Sequence, residues 1–210
     1  MNRKGVLTVV SGFSGAGKGT LMKALISKYE YQLSISATTR APREGEVHGR
    51  EYFFLTRDAF ESMINNGELI EWAEYVGNYY GTPKRYVEEQ LELGKDVILE
   101  IEIQGALKVK EIFPDALLLF ITPPNITELK ERLIGRGTES MDTICKRLYR
   151  AYEEASFMKH YDYLIVNDKL EECVEHTHQI IQQQHCKVEN NLIFIEAITA
   201  ELKAMKEGAL

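Results

Sequence analysis

The residues Gly12-Phe13-Ser14-Gly15-Ala16-Gly17-Lys18 have the types and spacing to handle a polyphosphate. They fit G-x-x-x-x-G-K, follow the apolar run Val6–Val10 and open a helical pattern, which is the context the motif needs. Closely spaced glycines let successive backbone N–H groups turn toward one anion. The N-terminus of the following helix adds positive partial charge. Lys18 then stands where an ammonium reaches the terminal phosphates. A plain glycine-rich turn before a helix is the competing reading, and the strand, the lysine and the helix together weigh against it. Gly19 departs from the pattern. Such loops usually carry a Mg²⁺-binding hydroxyl there, and here the hydroxyl comes one residue later, on Thr20.

A second set of charges follows in "SATTRAPREGEVHGREYF". Arg40 and Arg43 flank Pro42, and Tyr52 comes shortly after. Guanidinium groups stay charged and grip phosphate bidentately, so two of them and a phenol could fix one phosphate. Taken alone, they are as readily solvated loop charges. Glu100 and Glu102 close the run "VILEIEIQGA" and fall on one face by strand periodicity. Acids at the end of a parallel strand beside a phosphate loop often handle metal-bound water or substrate, solvated charge being the alternative. Arg132, Arg136 and Arg147 lie in "ERLIGRGTES" and "CKRLYRA". Arg132 has helical ion pairs with Glu128 or Glu131 as its other reading. The glycines around Arg136 suggest a hinge, hence a lid.

These groups need a scaffold. Short apolar runs at Val6–Val10, Leu33–Ser36, Val97–Ile101, Leu117–Ile121 and Tyr163–Val166 read as buried strands. Helical stretches at Thr20–Lys28, Ile126–Ile134, Ser140–Lys159 and Leu170–Gln184 lie between most of them. Strand alternating with helix predicts βαβ units and a mostly parallel sheet covered on both faces. Residues 37–95, rich in aromatics and arginine, break the alternation and read as an inserted lobe of mixed structure. The expected organisation is one unit over 1–210, with a core from 1–36, 96–125 and 160–210, the lobe at 37–95 and a lid at 126–159. The tail from 187 onward reads as one more amphipathic helix, either a contact between copies of the chain or a cap on the core.

Composition narrows the classes. The chain has 210 residues, 44% hydrophobic and 27% charged, an ordinary globular balance. A net charge of −7 argues against a broad nucleic-acid surface, though clustered arginines can still dominate the field in a cleft. No apolar stretch approaches a membrane span and no secretory leader is evident, so a cytoplasmic protein is expected. The three cysteines, Cys145, Cys173 and Cys186, lack C-x-x-C spacing and read as reduced thiols. Asn125, with Glu128 three residues on, reads as a helix N-cap. The histidines form no catalytic or metal set.

The loop Gly-Lys-Gly-Thr resembles that of nucleoside monophosphate kinases. Ser-x-Thr-Thr-Arg-x-Pro-Arg-x-Gly-Glu, then Gly-x-x-Tyr-x-Phe, Glu-Trp-Ala and Gly-x-Tyr-Tyr-Gly-Thr, in this order, resemble guanylate kinase from the phosphate loop through "IVND" at 165–168. The resemblance implies a three-layer α/β P-loop kinase fold with a parallel sheet, an inserted mixed α/β GMP-binding lobe and a helical lid. It implies ATP on Gly12, Phe13, Ser14, Gly15, Ala16, Gly17, Lys18, Gly19 and Thr20, with Arg136 over the adenine and phosphates and Asn167 near the adenine. Arg40, Arg43 and Tyr52 would bind the GMP phosphate, with Tyr80 and Ser36 close by and Glu102 toward the same nucleotide. Glu71 and Thr82 would read the base.

Chemistry supports that last pairing. Guanine offers two donors and one acceptor on one edge, which suit a carboxylate and a hydroxyl; adenine would leave such a site unpaired. The resemblance further implies that Lys18, Arg132, Arg136 and Arg147 are catalytic, Arg132 and Arg147 against the transferring phosphoryl group. Mg²⁺ would accompany ATP as co-substrate, held chiefly by phosphates and waters, with Thr20 and Glu100 nearest. The expected partners are ATP and GMP, with no nucleic acid and no membrane, and a homodimer is left open. A P-loop kinase of another small phosphate acceptor and a non-catalytic guanylate-kinase-like binding module are the alternatives. Glu71 and Thr82 speak against the first, and the retained Lys18 against the second. Phe13 stands where most members carry Pro, so a more mobile loop is expected.

Overall fold

The structure, a computed structural model, describes residues 4–75, 77–135 and 140–208. In chain order, β1 (Leu7–Gly12) leads through the loop into α1 (Lys18–Lys28) and β2 (Gln32–Leu33). There follow β3 (Ala37–Thr38), β4 (Phe53–Phe54), α2 (Arg57–Asn65), β5 (Leu69–Tyr75), β6 (Asn78–Pro83) and α3 (Lys84–Glu92). Next come β7 (Val97–Glu100), α4 (Ile103–Ile112), β8 (Leu117–Thr122), α5 (Ile126–Gly135) and α6 (Met141–Ala155). The chain ends with β9 (Tyr163–Val166), α7 (Leu170–Gln184) and α8 (Leu192–Lys206).

The larger sheet has the order β2-β7-β1-β8-β9 and is parallel throughout. Its inner strands β7, β1 and β8 are largely apolar and buried, as cover on both sides requires. The edge strand β9, expected to be buried, instead leaves Tyr163, Leu164 and Val166 exposed and buries only Ile165. Val10, Ile98, Leu119 and Ile121 point into one core with Leu21, Leu25, Phe120 and Ile181. Leu7, Val9, Leu99 and Leu118 point into the other with Val87, Leu91, Ala106 and Val109. This division follows the period-two alternation of strand side chains. Three layers result, with β1 in the middle. From β1 the chain crosses to β2 on one side, and later strands β8 and β9 are laid on the other. A crevice opens at the strand ends where the order reverses, and the loop after β1 occupies it.

The second sheet has the order β4-β3-β6-β5 and mixes parallel and antiparallel pairs. Phe60 of α2 is fully buried with Ala37 and Leu69, giving this lobe a small core of its own. Local signals set the helix starts. Thr56 caps α2 by accepting from Ala59 N at 3.2 Å, and Ser140 caps α6 by accepting from Thr143 N at 3.3 Å. Asn125 Oδ1 accepts from Glu128 N at 2.9 Å, the cap that the sequence predicts.

Three expectations are corrected. The second strand pairs only over Gln32–Leu33, so Ser36 lies beyond it on the crevice wall. The helix expected to run to Lys159 stops at Ala155 and is followed by a 3₁₀ turn, Met158–His160. Glu102 does not share a strand face with Glu100. β7 ends at Glu100, and Glu102 is the N-cap of α4, a helix that the alternation Ile101-Glu102-Ile103 disguised. The buried set Ile103, Ala106 and Val109 recurs every three residues, a helical spacing that packs α4 on the sheet.

Candidate active site

The loop after β1 needs glycine where it meets α1. Gly17 has φ 90°, and a Cβ there would lie 2.5 Å from Asn167 Nδ2. Asn167, 6% exposed, donates that amide to Ala16 O at 2.9 Å, so it supports the loop from behind. Lys18 Nζ donates to Gly12 O at 2.6 Å and Phe13 O at 3.1 Å, spanning the loop. Phe13 is 3% exposed, with its ring edge-on to Phe120 at 5.0 Å between centroids. Only its backbone is offered to a ligand. The expectation of a looser loop considered φ alone; the buried ring pins the loop to the core. Gly19 and Thr20 are exposed in the first turn of α1.

Two arginines reach this loop from different helices. Arg132 of α5 bonds Glu128 Oε1 at 2.7 Å, Asn167 O at 2.9 Å and Ala16 O at 3.4 Å. The helical ion pair with Glu128, one of the two readings of Arg132, is present, and the same guanidinium also reaches the loop carbonyl of Ala16. Arg147 of α6 donates to Ser14 Oγ at 2.5 Å. Arg136 lies outside the described residues. Glu100 stands beside the loop, since Val10 and Glu100 are partners in register. Partial enclosure raises its pKa, Lys18 lowers it and Glu102 raises it again. Glu102 itself accepts from Arg150 Nη2 at 2.9 Å.

Across the crevice, Ser36, Glu51, Tyr52 and Thr82 line a cleft of about 160 Å³ together with Glu100 and Leu33. Arg40 donates from one nitrogen to both oxygens of Glu46, each at 3.0 Å, and its guanidinium lies 5.4 Å from the Tyr52 ring centre. Glu46 also accepts from Arg43 N at 2.7 Å, and that bond, then Arg40, lowers its pKa. Glu46 is not among the site residues that the motifs single out, although an acid three residues after Arg43 in the same loop is a visible signal. Arg43 is exposed beside them. Tyr80 meets Tyr52 edge-on at 6.1 Å. Thr82, fully buried, donates to Glu71 Oε1 at 2.7 Å. Burial raises the Glu71 pKa, while the Thr82 bond and the charge of Lys108 lower it.

His185 belongs elsewhere. It is 5% exposed and meets Asp96 Oδ1 at 2.9 Å, at the opposite end of β7 from Glu100. No cluster of three or more His, Cys, Asp or Glu that could hold a metal occurs among the described residues. None of the helices among them is long and apolar enough to cross a membrane.

A parallel α/β core, a phosphate loop with its lysine and two arginines reaching that loop from neighbouring helices define the class of P-loop kinases. The guanylate kinase family profile matches residues 4–184. The chain belongs to the guanylate kinase family. It is 52% identical over 191 residues to the guanylate kinase of Streptococcus thermophilus, covering 90% of this chain and 91% of that one. It is 54% identical over 188 residues to that of Halalkalibacterium halodurans, covering 89% and 92%. The Bacillus cereus relative is 51% identical over 203 residues, 96% of this chain and 99% of its own. Among solved structures, guanylate kinase from Anaplasma phagocytophilum aligns at TM-score 0.70 and 34% identity, covering 89% of each chain.

Proposed function

We propose that this chain transfers the γ-phosphoryl group of ATP to GMP, giving ADP and GDP, with the donor on the 12–20 loop and the acceptor in the 37–95 lobe. One observation carries the acceptor site. The buried carboxylate of Glu71 is held by Thr82, and Thr82 lines the same cleft as Ser36, Tyr52 and Glu100. Glu71 as carboxylate accepts from guanine N1–H and N2–H₂, and the single Thr82 hydroxyl proton, given to Glu71 when no base is bound, turns to O6 when the base enters. Arg40, Arg43, Tyr52 and Tyr80 fix the GMP phosphate, and Glu102 borders the acceptor nucleotide.

An oxygen of that phosphate attacks the γ-phosphorus as the bond to the bridging oxygen of ADP breaks. Such a transfer needs alignment and charge neutralisation more than covalent help. Lys18, Arg132 and Arg147 supply charge, and Arg136 joins them from the lid at 126–159. The backbone of residues 12–20 cradles the ATP phosphates, and Asn167 keeps the loop in shape. Thr20 and Glu100 offer only oxygen, the hard donor set that suits Mg²⁺ with its waters, and the ion would neutralise charge on the phosphates. A lid that closes would keep water from taking the phosphoryl group. The setting is the cytoplasm, and any protein partner would be another copy of this chain.

The experiment is coupled ADP release with GMP, AMP, CMP, UMP and ribose phosphates as acceptors. GMP-selective turnover is expected. Tight GMP binding without turnover on any acceptor would instead indicate a binding module.

A further inference from the structure

The last helix carries apolar side chains that none of the described residues buries. α8 has no buried residue. Phe194, Ile195 and Ile198 are exposed by 40–42% and Leu202 and Met205 by 60%. At 100° per residue these positions fall within one arc of the helix. Leu192 and Ile193 stand exposed off this arc, in the first turn. The spacing of Ile195, Ile198, Leu202 and Met205 is three, four, three, the a/d seam of a heptad. Glu196, Lys203 and Glu207 lie on the far side, and Lys203 meets Glu207 at 3.9 Å. A free helix of 15 residues is marginal in water, so this one needs a partner for its seam.

We propose that α8 is a self-association helix whose seam packs in parallel against the same seam on a second copy of this chain. The flanking charges choose the occupant and its direction. With Ile195 and Leu202 at a, Glu201 falls at g and Lys206 at the following e, five residues on. Parallel seams bring g against the next e′, so Glu201 of each copy meets Lys206 of the other. Antiparallel seams set g against g and e against e, which gives neither charge an opposite partner. The seam starts just beyond Asn191, whose side chain donates to His185 O at 2.7 Å, so the base of α8 is tied to the body by this bond. The proposal stands apart from the kinase reading, because no residue of the seam touches the nucleotide cleft.

Sedimentation of the full chain tests it. Twice the 24.1 kDa chain mass is expected at micromolar concentration. Leu202→Glu and Ile198→Glu should each sediment as single chains while turnover per chain and thermal midpoint hold, which shows that they fold. Lys206→Glu should weaken association by about tenfold, and adding Glu201→Lys should restore it. With Cys145 and Cys186 changed to Ser, Met205→Cys should crosslink copy to copy. Single chains throughout would overturn the proposal, whether α8 folds onto its own body or serves another protein. So would an assembly indifferent to Leu202→Glu, or a charge swap that fails to restore.

Discussion

Gly105, in the first turn of α4, lies against the carboxylate of Glu71. A Cβ at Gly105 would stand 3.0 Å from Glu71 Oε2 and 3.4 Å from its carboxyl carbon. Thr82 holds the other oxygen at 2.7 Å. The carboxylate is therefore gripped on one side and left room on the other. Gly105→Ala should raise KM for GMP about tenfold, roughly 1.4 kcal/mol, with kcat and KM for ATP unchanged. The same change should keep or raise Tm, because alanine favours a helix over glycine by about 0.5–1 kcal/mol. A fall in Tm with KM intact would mean that the glycine serves packing alone.

Glu71→Gln should lower GMP selectivity while sparing ATP use. The apo chain should gain stability at neutral pH. Burial raises the Glu71 pKa, so its contribution to stability is present at low pH and lost as pH rises through the raised value. Removing the charge should then raise Tm of the apo chain at pH 7 and leave it little changed at pH values below the ordinary glutamate range. Calorimetry of both proteins measures it, and a less stable variant would contradict the account.

GMP affinity should also fall as pH drops, starting above the ordinary glutamate range. A protonated Glu71 presents a donor to a base edge that already donates. KM for GMP in Glu71→Gln should be flat over the same interval. Parallel profiles in both proteins would assign the dependence to another group.

Lys18→Ala should cut turnover by a factor of about 10³ or more, while GMP binding, followed by titration calorimetry, stays close to wild type. Equal loss of both would show that donor and acceptor sites are not separate.

Phe13→Pro should lower stability by about 3–5 kcal/mol, the usual cost of emptying a phenylalanine site. The ratio of GMP to AMP turnover should not move. A change in the accepted nucleotide would place Phe13 in recognition rather than in the core.

Much of this was readable in the sequence, for physical reasons. The strands of the parallel sheet are unbroken apolar runs, and the phosphate loop needs glycine and lysine at fixed spacing. The misreadings came where two periods overlap or where a side chain turns inward. Glu102 alternates with isoleucines as a strand residue would, yet the helical recurrence of Ile103, Ala106 and Val109 governs that segment. Phe13 sits inside a loop motif and gives no sequence sign that its ring enters the core. Asn167 and Ala16 lie far apart in the chain, so their bond is visible only once β9 is laid beside β8. Glu46 was legible in principle, since it shares a loop with the arginines it binds.

Four of the cations around the loop and the cleft are already engaged. Lys18 is bonded to loop carbonyls, Arg132 to Glu128 and Asn167, Arg147 to Ser14, and Arg40 to Glu46. Any anion that enters must take these groups from internal acceptors, so its affinity is the surplus of one set of bonds over another. A small anion that reaches only one of these cations, such as acetate or orthophosphate, exchanges like for like and gains little. A nucleotide that meets several cations at once collects every surplus together. Rejection of the abundant small anions of a cell is thus built into the resting contacts of the protein, ahead of any reading of the base.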